Sequence, residues 1–105
     1  MPQANDGQSV RNNPERARFE LDVEGHVCLA EYELQPGTIV FTHTEVPPEV
    51  GGRGLGAKLV KAGLDYARNE QLQVIPQCTF VARFMERHPE THDLVHPEHL
   101  GKIGK

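Results

Sequence analysis

The chain has 105 residues, with 15 acidic side chains against 11 basic ones and a formal charge of −4, a size that allows one domain with one core. An acidic balance without a Lys/Arg cluster makes nucleic acid an improbable partner, and an amine-bearing substrate fits better than an anionic polymer. There is no apolar run of the roughly 18 residues a membrane helix needs, no secretory h-region, and no disulfide framework in two cysteines, so the expected setting is the reducing cytoplasm away from membranes, with a Cys28–Cys78 pair left open.

Residues 1–16, "MPQANDGQSVRNNPER", are polar, hold two prolines and show no periodicity, which predicts a flexible leader before a folded domain over 17–95. From Arg18 the pattern alternates, with Phe19, Leu21 and Val23 on one face. Glu24-Gly25 then leads into "HVCLAEYEL", so a hairpin is expected with Cys28, Ala30, Tyr32 and Leu34 on its inner face. Gln35-Pro36-Gly37 returns the chain as "TIVFTHTEV", whose β-branched residues complete an antiparallel meander of three strands. Farther on, Leu55, Leu59, Ala62 and Tyr66 recur at helical spacing, flanked by Val60, Leu64 and Ala67, and predict a helix of about four turns from near Arg53 to near Asn69. "QLQVIPQC" reads as a short strand, parallel to the third because a crossover helix separates them. "TFVARFMERH" gives a second helix that Pro89 stops, with Phe80 and Phe84 assigned to its core face. The segment beyond Pro89 reads as a polar tail with at most one helical turn, and 96–105 falls outside the domain. The fold class is α+β with a mixed sheet.

Between the meander and the first helix lies "EVPPEVGGRGLGAKLV" (45–60), two prolines and then four glycines in six positions. A strand, a glycine-rich turn and a helix N-terminus together present unpaired main-chain N–H groups and partial positive charge to an anion, for which phosphate is the natural guest. No Gly-Lys-Ser/Thr closes the loop and an antiparallel meander leads into it, so neither the P-loop nor the dinucleotide fingerprint applies. A tight strand-to-helix turn without a ligand accounts for the same glycines equally well.

Four stretches together resemble the GNAT superfamily of acyl-CoA-dependent N-acetyltransferases, and among them the short single-domain proteins: "HTEVP" (43–47), "GGRGLGAKLV" (51–60), "GLDYAR" (63–68) and "VIPQCTFVARFMERHPE" (74–90). The resemblance runs from about Phe19 to about Leu94. It implies a minimal mixed sheet in which the strand before the glycine loop splays from the next one. It implies acetyl-CoA or CoA as cofactor, with the pantetheine arm in that gap beside Thr44 and Val46, and the pyrophosphate on the loop at Gly52, Arg53, Gly54, Leu55, Gly56 and Ala57. The superfamily pattern Gln/Arg-x-x-Gly-x-Gly/Ala falls on residues 51–56. Gly54 and Gly56 match it, while Gly51 stands at the Gln/Arg position and removes one side-chain contact to phosphate. The helices that usually come after the first strand and build the acceptor pocket are missing.

Acyl transfer to an amine needs a base, donors for a developing oxyanion and a proton for the leaving thiolate. Cys78 lies just past the short strand at the start of the second helix, where a helix N-terminus favours a thiolate and where the resemblance places the CoA thiol. It is a candidate acyl carrier or proton donor, and equally a small buried core residue. His43, on the third strand, is of the residue type that most often serves as a general base, or is a surface histidine. Glu45 shares its face by period-two parity and ranks below it. Cys28 belongs to the core. His88, His92, His96 and His99 suggest a metal by spacing, but Pro89 and Pro97 interrupt any helix that would align them, so no metal site is assigned. The reading is an acetyl-CoA-dependent transferase acting on an amine, either a lysine side chain or a small amine. Its alternative is a CoA-binding or protein-interaction module that keeps the fold without efficient transfer.

Overall fold

The computed structural model describes residues 10–98. Strands β1 (Arg11–Asn13), β2 (Arg18–Val23), β3 (His26–Gln35) and β4 (Thr38–Glu45) come first, then helix α1 (Leu55–Asn69), strand β5 (Gln73–Pro76) and helix α2 (Thr79–Arg87). The five strands form one sheet in chain order. Neighbours are antiparallel up to β4, and β4 and β5 are parallel, as the intervening helix requires. This is the mixed α+β sheet that the sequence predicts.

Turn chemistry sets the meander. Glu24 and Gly25 have φ of 53° and 82°, the doubly left-handed pair that matches the twist of a two-residue hairpin. At the next turn Pro36 precedes Gly37 at φ 70°, an arrangement that favours reversal between Gln35 and Thr38. The inner face then results from alternation: Phe19, Leu21 and Val23 of β2 lie beside Cys28, Ala30 and Tyr32 of β3, all buried. Helix α1 covers them with a stripe of Leu55, Leu59, Gly63 and Ala67, joined by Gly56, Val60 and Leu64. Gly63 permits the approach, since a β-carbon there would lie 2.8 Å from the ring of Phe41.

Three expectations need correction. The fold does not begin at Ala17, because Arg11–Asn13 pairs with Arg18–Glu20. This strand escapes apolar periodicity because polar groups hold it: Arg11 reaches Glu20 at 2.8 Å and Asn12 accepts a 2.7 Å hydrogen bond from the Tyr32 hydroxyl. Residues 1–9 of the expected leader, and 99–105 of the expected tail, lie outside the described residues. Leu34 has the parity of the inner face but is 52% exposed, since β2 pairs with β3 only as far as Glu31 and leaves Leu34 with Ile39 of β4 on one side and no strand on the other. Finally, the segment after Pro89 is not a solvated tail. Pro89–Leu94 winds as a 3-10 helix that buries Thr91 and Leu94, Val95 bridges to Val74, and the His96 amide donates to the Val74 carbonyl at 2.8 Å.

Candidate functional site

The two halves of the site arise where β4 outlasts β5. Their pairing ends at Phe41 and Pro76, while β4 continues to Glu45 with β3 alone beside it. The Cys78 amide makes the last link across the gap, donating to the Phe41 carbonyl at 2.8 Å, and the chain then departs into α2. Thr42–Glu45 therefore has an edge with no strand on the β5 side.

A bulge decides which side chains look toward this gap. Tyr32 pairs with Phe41 and Glu31 with His43, so Thr42 is an extra residue on β4 and parity shifts across it. Thr44, opposite the fully buried Ala30, regains the inner face that Phe41 occupies. Its Oγ1 lies 3.5 Å from Cys78 Sγ. His43 points to the outer face with Glu31, and its Nε2 lies 3.3 Å from Glu45 Oε1. The structure thus brings Cys78 and Thr44 together and separates both from His43. The shared face of His43 and Glu45 is as the alternation predicts.

The glycine loop forms the other half. Gly52 and Gly54 have φ of 77° and 74°, and Gly54 is the N-cap of α1. A β-carbon at either would meet open space, so it is the left-handed backbone that requires glycine at both. The first helical bond runs from the Lys58 amide to the Gly54 carbonyl at 3.2 Å; the amides of Leu55, Gly56 and Ala57 precede it and have no acceptor within the helix. No acidic side chain occupies that first turn. A groove of about 290 Å³ opens there, lined by Val46, by Gly51, Gly52 and Gly54 through Ala57, and by Phe80. Arg53 is turned away: its guanidinium makes bonds of 2.9 and 3.2 Å to the Glu24 carboxylate in the β2–β3 turn, which holds that carboxyl below its usual range.

Phe80 is the residue that helical periodicity misplaces. The buried pair of α2 is Val81 and Met85, while Phe80 is 43% exposed and its ring lies against Gly56, where a β-carbon would come within 2.7 Å. Its position just inside the helix, off the Val81/Met85 stripe, is the signal that could have found it. Farther along α2, a second cavity of about 260 Å³ lies between Ala57, Phe80, Arg83, Phe84, Arg87 and His88. The described histidines of this end have local partners. His88 Nδ1 lies 3.3 Å from Glu90 Oε2, and its ring stacks on Phe84 at 4.1 Å. His92 Nε2 lies 2.7 Å from the Met85 carbonyl. Among the described residues no three metal-ligating side chains gather, and no helix is long and apolar enough to cross a membrane. Cys28 is wholly buried, as expected, with its thiol pushed up by burial and secondarily by the charge of Asp22.

A family model described as GCN5-related N-acetyl-transferase matches residues 18–94. Among curated proteins the chain is similar to Protein NATD1 of Danio rerio, 30% identical over 98 residues that span 90% of this chain and 83% of the relative. It is also similar to Protein NATD1 of Bos taurus, 32% identical over 88 residues that span 79% and 78%. Among solved structures, the NMR solution structure of a GCN5-like protein from Staphylococcus aureus superposes with a TM-score of 0.69 at 26% identity, covering 87% of this chain and 90% of that one.

Proposed function

The chain belongs to the GCN5-related N-acetyltransferase family, and from that premise we propose that it binds acetyl-CoA and CoA and transfers acetyl to an amine. The observation that carries the reading is the glycine loop: a left-handed N-cap, a first turn of α1 without acidic side chains and a groove opening on its free amides. Those donors and the helix dipole suit a pyrophosphate, and they do so through main chain, as the glycine at position 51 demands. The unpaired edge of β4 over Thr42–Glu45 offers backbone groups to an extended, amide-containing arm. The residues present therefore fit the cofactor.

When bound, the thioester supplies an activated acyl group. Cys78 Sγ, beside Thr44 Oγ1 at the end of that edge, would donate the proton that a thiolate leaving group needs when the thioester is exchanged for an amide. The proton lost by the attacking amine restores the thiol. His43 lies across the strand and takes no part in this step; His43→Ala is expected to leave transfer nearly unchanged. An acidic chain favours a cationic acceptor, a lysine side chain or a small amine.

Calorimetry with acetyl-CoA tests the cofactor reading. Ala57→Glu puts a carboxylate into the first turn of α1, where it suits the helix dipole and opposes the pyrophosphate. The variant should stay folded and lose acetyl-CoA binding. Unchanged affinity in the folded variant overturns the reading. A binding module without transfer is the second reading, and one observation favours it: β2, β3 and β4 succeed one another through two-residue turns, so no helix between them builds an acceptor pocket. Binding without turnover on any amine would establish it.

A further inference from the structure

Glu24 stands where the backbone does not favour it. It is the first residue of the two-residue turn between β2 and β3, at φ 53°, a position that suits asparagine, aspartate or glycine because other side chains crowd the backbone there. The hairpin alone gives no reason for a glutamate. Its carboxylate is engaged elsewhere: Oε2 and Oε1 accept bonds of 2.9 and 3.2 Å from the Arg53 guanidinium, 29 residues away in the chain. A two-pronged pair of this kind fixes direction as well as distance. The glycine loop is a segment that such a hold would order. Val50 and Leu55 anchor its two ends in the core, but Gly51, Gly52, Arg53 and Gly54 between them are exposed, and backbone without side chains has the most freedom to lose. Arg53 is the one side chain in that stretch. The groove is lined by residues on either side of it, while its own guanidinium faces the hairpin.

Resting on the cofactor reading above, we infer that Glu24 is a positioning residue for the anion cradle: through Arg53 it clasps the glycine loop to the β2–β3 turn and holds Gly52 and Gly54 in the shape that leaves the amides of Leu55, Gly56 and Ala57 open. Glu24 itself touches no part of the cofactor. A loop ordered in advance loses less freedom when its ligand arrives, so the clasp strengthens binding without adding a contact. The left-handed glutamate is the strain set against that gain, a local rule broken beside a site. Stability and binding therefore respond to its replacement with opposite signs.

The test uses the full chain and its Glu24→Asn, Arg53→Gln and doubly substituted variants, with acetyl-CoA binding by calorimetry, thermal unfolding, and limited trypsin digestion, whose cut after Arg53 reports release of the loop. Glu24→Asn removes the clasp and gives the turn a residue it favours. Its Tm should equal that of the wild-type chain or exceed it by a few degrees, while acetyl-CoA binds about two- to fivefold more weakly, the range of an exposed ion pair. Trypsin should cut it faster by a similar factor. Arg53→Gln should weaken binding to the same extent and the double variant no further, because all three lack one and the same interaction. In about 1 M salt the difference between the wild-type chain and Glu24→Asn should close. A role confined to the turn would move the Tm and not the affinity. Unchanged affinity in Glu24→Asn overturns the inference, whatever the trypsin rate, and leaves the cofactor reading standing. Tighter binding by Glu24→Asn does the same, since it marks the carboxylate as a competitor of the phosphate for Arg53, and so does a loss confined to Arg53→Gln, which puts that guanidinium on the phosphate. A wild-type chain that binds no acetyl-CoA overturns both.

Discussion

The ring of Phe80 rests on the backbone of Gly56, so that a β-carbon at residue 56 would lie 2.7 Å from Phe80 Cζ. Gly63, two turns along α1, stands in the same relation to Phe41, at 2.8 Å. The two contacts differ in what can yield. Phe80 is 43% exposed and free to swing into the groove, whereas Phe41 is 1% exposed and enclosed by the core. Alanine in place of glycine inside a helix gains ~1 kcal/mol of propensity, against an overpacking cost of ~1–3 kcal/mol where the neighbours are fixed. Gly63→Ala is therefore expected to destabilise by up to about 2 kcal/mol, and Gly56→Ala to be neutral or slightly stabilising in urea unfolding. Gly56→Ala should still weaken acetyl-CoA binding several-fold, because the displaced ring enters the groove.

The same pair shows how far the sequence reaches. Alternation in β2 and β3, the Glu24-Gly25 and Pro36-Gly37 turns and the 55/59 spacing of α1 are short-range signals, and they yield the meander, the crossover helix and the parallel strand. What they miss is set by neighbours distant in sequence. The polar strand Arg11–Asn13 exists because Glu20 and Tyr32 hold it. The bulge at Thr42 lies in a run of β-branched residues and leaves no mark, yet it exchanges Thr44 for His43 on the inner face. Phe80 reads as core until Gly56 is seen beneath it. In the loop, the glycine pattern is legible as a sharp turn into α1, and the left-handed Gly52 and Gly54 bear that out, but the engagement of Arg53 by Glu24 is not legible.

The C-terminal end of α1 carries a correctable strain. The Leu72 amide donates to the Ala67 carbonyl at 2.8 Å and the Gln71 amide to the Arg68 carbonyl at 3.2 Å, which is the Schellman arrangement. Its left-handed residue is Gln71, at φ 59°, where a side chain costs roughly 1 kcal/mol relative to glycine. Gln71→Gly should raise stability by about that amount and the Tm by roughly 4–8 °C. A Tm unchanged or lowered in thermal unfolding by circular dichroism would contradict this.

Acid should loosen the β1–β2 edge first. Glu20 is 4% exposed and accepts hydrogen bonds from Arg18 at 2.6 Å and Asn13 at 3.1 Å, with Arg11 at 2.8 Å. The Arg18 hydrogen bond leads in holding its carboxyl below the usual carboxylate range, against the opposing effect of burial, and Asn13 and Arg11 add to it. A folded pKa below the unfolded one contributes stability above the unfolded value, about 4.3, and loses it as pH falls through the folded value. Stability from denaturant curves should accordingly be level between about pH 7 and 5 and decline below about 4. Glu20→Gln should cost about 1–3 kcal/mol at neutral pH and make that decline shallower. An undiminished acid slope in the variant would remove Glu20 as a source of it.

The two thiols separate catalysis from packing. Cys28 is fully buried and its thiol is pushed up by burial; Cys78 is half-buried at the N-cap of α2, 3.5 Å from Thr44 Oγ1 at the mouth of the β4–β5 gap. Iodoacetamide should modify Cys78 faster than Cys28 by roughly a factor of ten or more, because the reagent reaches Cys78 while Cys28 is enclosed by the core. On the proposed function, which puts the cofactor's arm in the same gap, acetyl-CoA should protect Cys78, and peptide mapping reads both effects. Cys78→Ala should retain acetyl-CoA affinity, because the phosphate cradle lies on α1, yet lower transfer on the order of 10²-fold, the scale of one lost proton donor. Cys78→Ser preserves shape and a proton of higher pKa, so an intermediate rate is expected from it if reactivity matters and a wild-type rate if only packing does. Should Cys78 prove slow to alkylate, unprotected by acetyl-CoA and replaceable by alanine at full rate, its part in transfer falls, and the binding module without transfer becomes the better account of the same gap.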